Sequence, residues 1–157
     1  MQTYTIAFFG HRRIEDIHTS EKRLTELIEK RLEEKEYIEF LVGRNGDFDR
    51  IVSSVIRTVQ KRKGSVTSAH VLVLPYLTAE YLHNREAFET YYDEIECFDS
   101  SYFKNAITKR NRAMINRADE ILFYLERKTG GAYEAYRYAC EKGKKTENIA
   151  TKMSKTS

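Results

Sequence analysis

Tyr37-Ile38-Glu39-Phe40-Leu41-Val42-Gly43-Arg44-Asn45-Gly46-Asp47-Phe48 is the stretch that decides the fold. Tyr37 to Val42 is a short apolar run of the kind that forms a strand covered on both faces, and Gly43 closes it. Beyond the loop, Phe48, Ile51, Val52, Val55, Ile56 and Val59 fall at i, i+3, i+4, i+7, i+8 and i+11, a single apolar stripe on a helix. The hydrophobic period therefore switches from about 2 to about 3.6 across one glycine-bearing turn, which is how a βα unit reads.

The same switch recurs on either side. Tyr4 to Phe9, bounded by Gly10, predicts a strand. Leu24, Leu27, Ile28 and Leu32 follow at helical spacing, with Thr19 or Ser20 as N-cap. His70 to Leu74 is a third strand, ended by Pro75. Residues 76–103, aromatic and acidic, predict a short helix around 79–90 and a short strand over Asp93 to Cys97. Lys104 to Ala118 reads as a helix packed through Ile107, Met114 and Ala118. Ile121 to Leu125 reads as a strand, and Ala132 to Glu141 as a helix stopped by Gly143 in the C′ position. Asn148 to Ala150 is the last short strand expected. Helical connections between strands of this kind cross over right-handedly. The predicted fold is α/β: a Rossmann-like, doubly wound, mainly parallel sheet flanked by helices on both faces. Residues 1–150 are expected to form a single domain, with 151–157 as a polar tail.

Composition agrees and excludes several classes. The 157 residues are 41% hydrophobic and 32% charged, an ordinary globular balance. No run approaches the roughly 18 apolar residues of a membrane span, and no secretory leader opens the chain, so a cytoplasmic protein with no membrane partner is expected. Cys97 and Cys140 are too few for a disulfide framework, and neither they nor His18, His70 and His83 have metal-ligand spacing. No metal and no cofactor is expected. The net charge of +3 (27 Lys and Arg against 24 Asp and Glu) argues against a nucleic-acid partner.

In doubly wound sheets ligands bind beyond the carboxyl ends of the strands, so the loops there carry the functional reading. Gly10-His11-Arg12-Arg13, Gly43-Arg44-Asn45-Gly46-Asp47 and Arg127-Lys128-Thr129-Gly130-Gly131 are all basic and glycine-bearing. Glycine lets backbone amides approach a ligand, helix N-termini offer unpaired N–H donors, and Arg supplies a bidentate fork. The pattern describes a site for phosphate or another compact anion. Asn45-Gly46 is equally a plain turn, and Asp47 or Asp49 a plain N-cap. In the 104–118 helix, Arg110 and Asn111 flank the packed stripe, while Arg112 and Arg117 read as solvated. A charged Arg beside a core stripe needs a partner, either a ligand phosphate or a nearby carboxylate. Glu134, in a first helical turn, is either dipole-stabilising or functional. Tyr76, Tyr81, Tyr91, Tyr92, Tyr102 and Phe103 form either a lid that stacks on a base, or a satellite core or dimer face.

In its order of pieces the chain resembles the SLOG superfamily (the SMF/DprA–LOG group), and within it the small YpsA-like branch. The resemblance rests on Phe8-Phe9-Gly10-His11-Arg12, Phe40-Leu41-Val42-Gly43 before Gly46-Asp47-Phe48-Asp49, and Tyr92-Asp93-Glu94-Ile95. It continues through Lys109-Arg110-Asn111-Arg112-Ala113-Met114, Arg117-Ala118-Asp119 and Gly130-Gly131-Ala132-Tyr133-Glu134-Ala135. It implies a pocket for a nucleotide or nucleotide-derived signal of the ADP-ribose or cyclic-nucleotide type. Gly10, His11, Arg12, Gly43, Arg44, Asn45, Arg110, Asn111, Gly130, Gly131 and Glu134 would be its ligand-binding residues. The family's phosphoribohydrolases carry Pro-Gly-Gly-x-Gly-Thr-x-x-Glu; here no Pro precedes Gly130, and Ala132-Tyr133 replaces Gly-Thr. The expected function is therefore a sensor or sequestering sponge, of the sort used in bacterial or phage defence signalling, and a homo-oligomer. The alternative is an N-glycosidase or nucleoside deoxyribosyltransferase-like enzyme with Glu134 as catalytic residue and Asp119 or Asp93 as helper.

Overall fold

The computed structural model describes residues 2–99 and 104–150. In chain order the elements are β1 (Thr3–Gly10), α1 (Ile17–Glu34), β2 (Tyr37–Val42), α2 (Asp47–Lys63), β3 (Ser68–Leu74), α3 (Ala79–His83), α4 (Arg85–Tyr91), β4 (Glu94–Cys97), α5 (Ala106–Arg117), β5 (Glu120–Tyr124), α6 (Gly131–Glu141) and β6 (Lys145–Asn148). The strands form one six-stranded sheet in the order β4-β3-β2-β1-β5-β6, and every pairing is parallel. This is the expected α/β Rossmann-like fold.

Alternation along the central strand sorts the core onto two faces. Ile6 and Phe8 of β1 pack with Leu24 and Ile28 of α1 and with the Phe48-to-Val59 stripe of α2. Ala7 and Phe9 point the other way, against Met114 and Ile115 of α5 and Ala135 and Ala139 of α6. The helices thus cover both faces, and the strands are buried on each side as their sequence implies. No described helix is long and apolar enough to cross a membrane.

Several boundaries differ from the sequence reading, each for a local reason. Asp16, not Thr19 or Ser20, caps α1: its side chain accepts from Thr19 N–H at 3.2 Å, while Ser20 Oγ turns back to Asp16 O at 2.9 Å. The 79–90 helix is broken at Asn84, whose backbone (φ −137°, ψ 34°) ends α3 and precedes α4. The last strand lies earlier than Asn148 to Ala150. Lys145 to Asn148 pairs with Glu120 to Phe123 at a polar sheet edge that has no apolar run to announce it. Gly143, at φ +67°, does stop α6 as read.

Arg112 and Arg117 are not simply solvated. Arg112 stacks over Tyr138, 4.8 Å from the ring centroid, and Arg117 bonds Glu39 and Glu96 together. Tyr81, Phe88 and Tyr92 are buried, with Phe88 meeting Tyr81 edge-on and Tyr92 at a tilt, which makes these three satellite core and not a lid. Tyr102 and Phe103, and the 151–157 tail, lie outside the described residues.

Candidate functional site

The strand order reverses at β1: the loop after β1 leads towards β2 on one side of the sheet, and β5 lies on the other. Where adjacent loops part in opposite directions a crevice opens at the carboxyl edge. A hollow of about 340 Å³ sits there, walled by the loops after β1, β2 and β5 and by α5. It brings together Gly10, His11, Arg12, Gly43, Asn45, Arg110, Asn111, Gly130 and Gly131. Arg44 and Glu134 are not among its walls.

The first two loops are stitched to each other. A Cβ on Gly46 would stand 2.5 Å from Arg12 Cα, so only glycine lets the two backbones meet. Asp47 N–H donates to Arg12 O at 2.7 Å, and Ile14 N–H donates to the Asp47 carboxylate at 3.1 Å. The Arg12 backbone is fixed by these bonds while its side chain stays exposed at the rim.

His11 ties the first loop to the last. It is buried, and its Nε2 accepts from Glu126 N–H at 2.9 Å and Arg127 N–H at 3.3 Å. Accepting at Nε2 places the ring proton on Nδ1. Burial, then the neighbouring Arg127 charge, holds the imidazole below its ordinary pKa of 6.5, which keeps it in this accepting form. Gly10 serves packing: a Cβ there would press to 2.4 Å on the Phe48 ring.

Arg110 is 2% exposed, yet no carboxylate of the described residues pairs with it. Its Nη1 donates to Val73 O at 2.8 Å and its Nε to Asn111 Oδ1 at 3.0 Å. Burial pulls its pKa down, opposed only by Asp49. Asp49, half-buried and bordering the same space beside Gly43, accepts from Asn45 N–H at 2.8 Å. Its carboxyl is pushed above the ordinary range by desolvation, against the Asn45 N–H and the Arg110 charge.

The last loop contributes the amino end of α6. Gly130 has φ +92°, a conformation that favours glycine, and no side chain caps the helix. A Cβ on Gly130 or Gly131 would meet no atom within 4 Å, so open space lies beside these amides. Unpaired N–H groups and the helix dipole favour an anion there, and Arg127 stands in the same wall.

The residues left outside have other partners. Arg44 bonds Glu80 at 3.1 Å and Tyr92 Oη at 3.0 Å and covers the Phe88 ring. The Glu134 side chain is 67% exposed and faces Arg137 at 3.9 Å, on a surface shared with Arg112 and Glu141. Asp119 accepts from Thr5 N–H at 2.8 Å and Asp93 from His70 N–H at 2.8 Å; neither carboxylate lines the hollow. Ile107, expected in the packed stripe, is 41% exposed and lines the hollow.

Asp49 is the functional candidate that sequence reasoning set aside as an N-cap. Among the described residues, Glu39, Glu94 and Glu96 are the carboxylates that gather closely enough to share a cation, and Arg117 already occupies two of them.

No protein-family model matches the chain, and no curated protein matches it in sequence. Solved structures do. DNA processing protein A from Helicobacter pylori, described for its single-stranded DNA binding mode, superposes with a TM-score of 0.65 at 15% identity, covering 91% of this chain and 63% of that one. DNA processing protein A (DprA) from Streptococcus pneumoniae gives a TM-score of 0.65 at 13% identity, over 91% of this chain and 49% of that one. This chain thus spans less than two thirds of either neighbour. The expectation that net charge argues against a nucleic-acid partner is overturned: a protein built on this same fold binds single-stranded DNA. The balance of +3 also hides a local excess, since Arg12, Arg13, Arg127 and Lys128 are all exposed in the two loops at β1 and β5. At these identities the likeness is one of architecture: the chain shares the α/β fold of the part of DprA that it covers.

Proposed function

We propose that the hollow binds a nucleotide or nucleotide-derived signalling molecule, of the ADP-ribose or cyclic-nucleotide type, through its phosphate. The observation that carries this reading is the convergence of Arg12 and Arg127, from the loops after β1 and β5, on one hollow that also holds the uncapped amino end of α6 and has the buried Arg110 in a further wall. Its volume, about 340 Å³, falls at the lower end of small-molecule sites, enough for about one nucleotide unit. Base–ribose cleavage by Glu134 is not part of the proposal, because that side chain faces solvent. A sensor or sequestering role in bacterial or phage defence signalling, a homo-oligomeric state and a place in the small YpsA-like branch complete the reading.

Native mass spectrometry of the chain purified from cells tests it, by revealing a co-purified small molecule and the oligomeric state together. Thermal shift with nucleoside monophosphates and ADP-ribose should show stabilisation that Arg12→Ala and Arg110→Ala abolish. No shift with any phosphorylated ligand, and none co-purified, removes the proposal.

A single-stranded DNA ligand is the second reading, favoured by the DNA binding of the H. pylori neighbour and by the exposed basic side chains of the β1 and β5 loops. It requires an affinity for oligonucleotides that falls steeply with salt and weakens in Arg127→Ala. A titration that is flat at low salt removes it.

A further inference from the structure

Asp49 is the one carboxylate among the described residues that lines the hollow, and it faces Arg110 without touching it. A Cβ on Gly43 would stand 3.1 Å from Asp49 Oδ2 and 3.2 Å from Arg110 Nη1, so both groups border the same small space. An acid and a guanidinium this close ordinarily close into a bidentate pair. Here each is pinned elsewhere: Oδ2 by Asn45 N–H at 2.8 Å, Nη1 by Val73 O at 2.8 Å, Nε by Asn111 at 3.0 Å. The result is an acceptor and a donor held side by side on one wall.

A bare phosphate suits this wall poorly, because Asp49 repels it; it suits the amino end of α6 and Arg127 on another wall. What fits between Asp49 and Arg110 is a group that gives one hydrogen bond and takes another. An alcohol does both, and a vicinal diol does so twice. We infer that Asp49 and Arg110 hold the sugar hydroxyls of the ligand, so that the site takes ribonucleotides in preference to nucleotides that lack those hydroxyls. This rests on reading the hollow as a nucleotide site, and it names the class of nucleotide.

Calorimetric titration of the full chain decides it. The probes are the adenosine, cytidine, guanosine and uridine 5′-monophosphates, their 2′,3′-dideoxy counterparts, and pyrophosphate. The best ribonucleotide should bind about tenfold or more tightly than its dideoxy counterpart, the loss expected when hydrogen bonds to charged groups go unmade. Asp49→Asn should shrink that preference to about threefold or less while pyrophosphate binds at least as tightly as to the wild type, since the change removes a repelling charge and leaves the other wall intact. Equal affinity for ribo and dideoxy forms in the wild type overturns the sugar assignment alone, and needs no variant to fold. A base edge at Asp49 would show itself this way, as a preference among bases that survives removal of the hydroxyls. Failure of every probe to bind overturns the nucleotide reading itself, and this inference with it.

Discussion

The two ends of the sheet each bury an arginine, and they treat it in opposite ways. At the amino end Arg31, 8% exposed, forks onto the fully buried Glu120 at 2.9 and 2.8 Å. Tyr4 Oη adds a hydrogen bond to the same carboxylate at 3.0 Å. Burial alone would raise the Glu120 pKa, and the Arg31 fork, with the Tyr4 hydrogen bond and the Lys145 charge, more than reverses it. At the carboxyl end Arg110 is more deeply buried but spends its donors on a carbonyl and an amide, with Asp49 held off. A charge neutralised within the chain is structural. A charge left without its counter-ion beside a hollow is a place for a ligand to complete.

The sharpest way to break this contrast is to remove an acid from the satisfied end. Glu120→Ala strips Arg31 of its fork and leaves it only the half-exposed Glu34 at 3.6 Å and Glu147 at 3.9 Å, and should cost about 3–5 kcal/mol in denaturant unfolding while the folded fraction binds ligand normally. A loss under about 1 kcal/mol would put the pair on a level with surface ion pairs, and the contrast would collapse.

His70 offers a third kind of buried base, one kept uncharged. It is 1% exposed, bonded to Ser53 at 2.9 Å, and its pKa is driven down to about 4, by burial first and then by the Arg57 charge. The unfolded chain protonates this group near 6.5, the folded chain only near 4. Between those values the unfolded state binds more protons, so stability is full above pH 6.5 and falls as pH drops through the window, by up to about 3 kcal/mol. Unfolding free energies measured between pH 7 and pH 4 should show that slope, and His70→Gln should flatten it.

Sequence carried the architecture because hydrophobic period is a local property: the buried strands β1, β2, β3 and β5 and the α2 stripe announce themselves within a dozen residues, whereas the polar edge strand β6 does not. The hollow was legible for a related reason. Glycines and arginines after the strands of a doubly wound sheet have one place to meet, and Gly10 to Arg12 and Gly130 to Gly131 meet there. What stayed hidden depends on direction and on distant partners. Asp49 two residues into a helix looks like any dipole-stabilising acid, and only the fold aims it at Gly43 and Arg110. Glu134 shares a turn with Gly131, but helical phase turns it to solvent. Arg117 finds Glu39 and Glu96 on strands far away in the chain, a pairing that no spacing reveals.

The unsatisfied end can be tested with the counterpart change. Arg110→Met keeps the length of the side chain and deletes its charge. It should move stability by about 1 kcal/mol or less, because no ion pair is lost, while abolishing the ligand-induced thermal shift. A collapse of the apo fold comparable to that of Glu120→Ala would make both ends structural.

The smallest expected change in stability separates two neighbouring glycines. Gly131 is outside the positive-φ region, and a Cβ on it would meet no protein atom within 4 Å, so Gly131→Ala should leave unfolding within about 0.5 kcal/mol of wild type. That same Cβ enters the space beside the α6 amides, so nucleotide affinity should fall about tenfold or more. Gly130→Ala forces φ +92° on an L-residue and should cost about 1–2 kcal/mol before any ligand is present. If the two variants share one signature, whether both bind normally or both merely destabilise, the amino end of α6 is not where the phosphate sits. A stable Gly131→Ala protein that has lost its ligand, beside a weakened Gly130→Ala protein, assigns the empty space to the ligand and the strained turn to the fold.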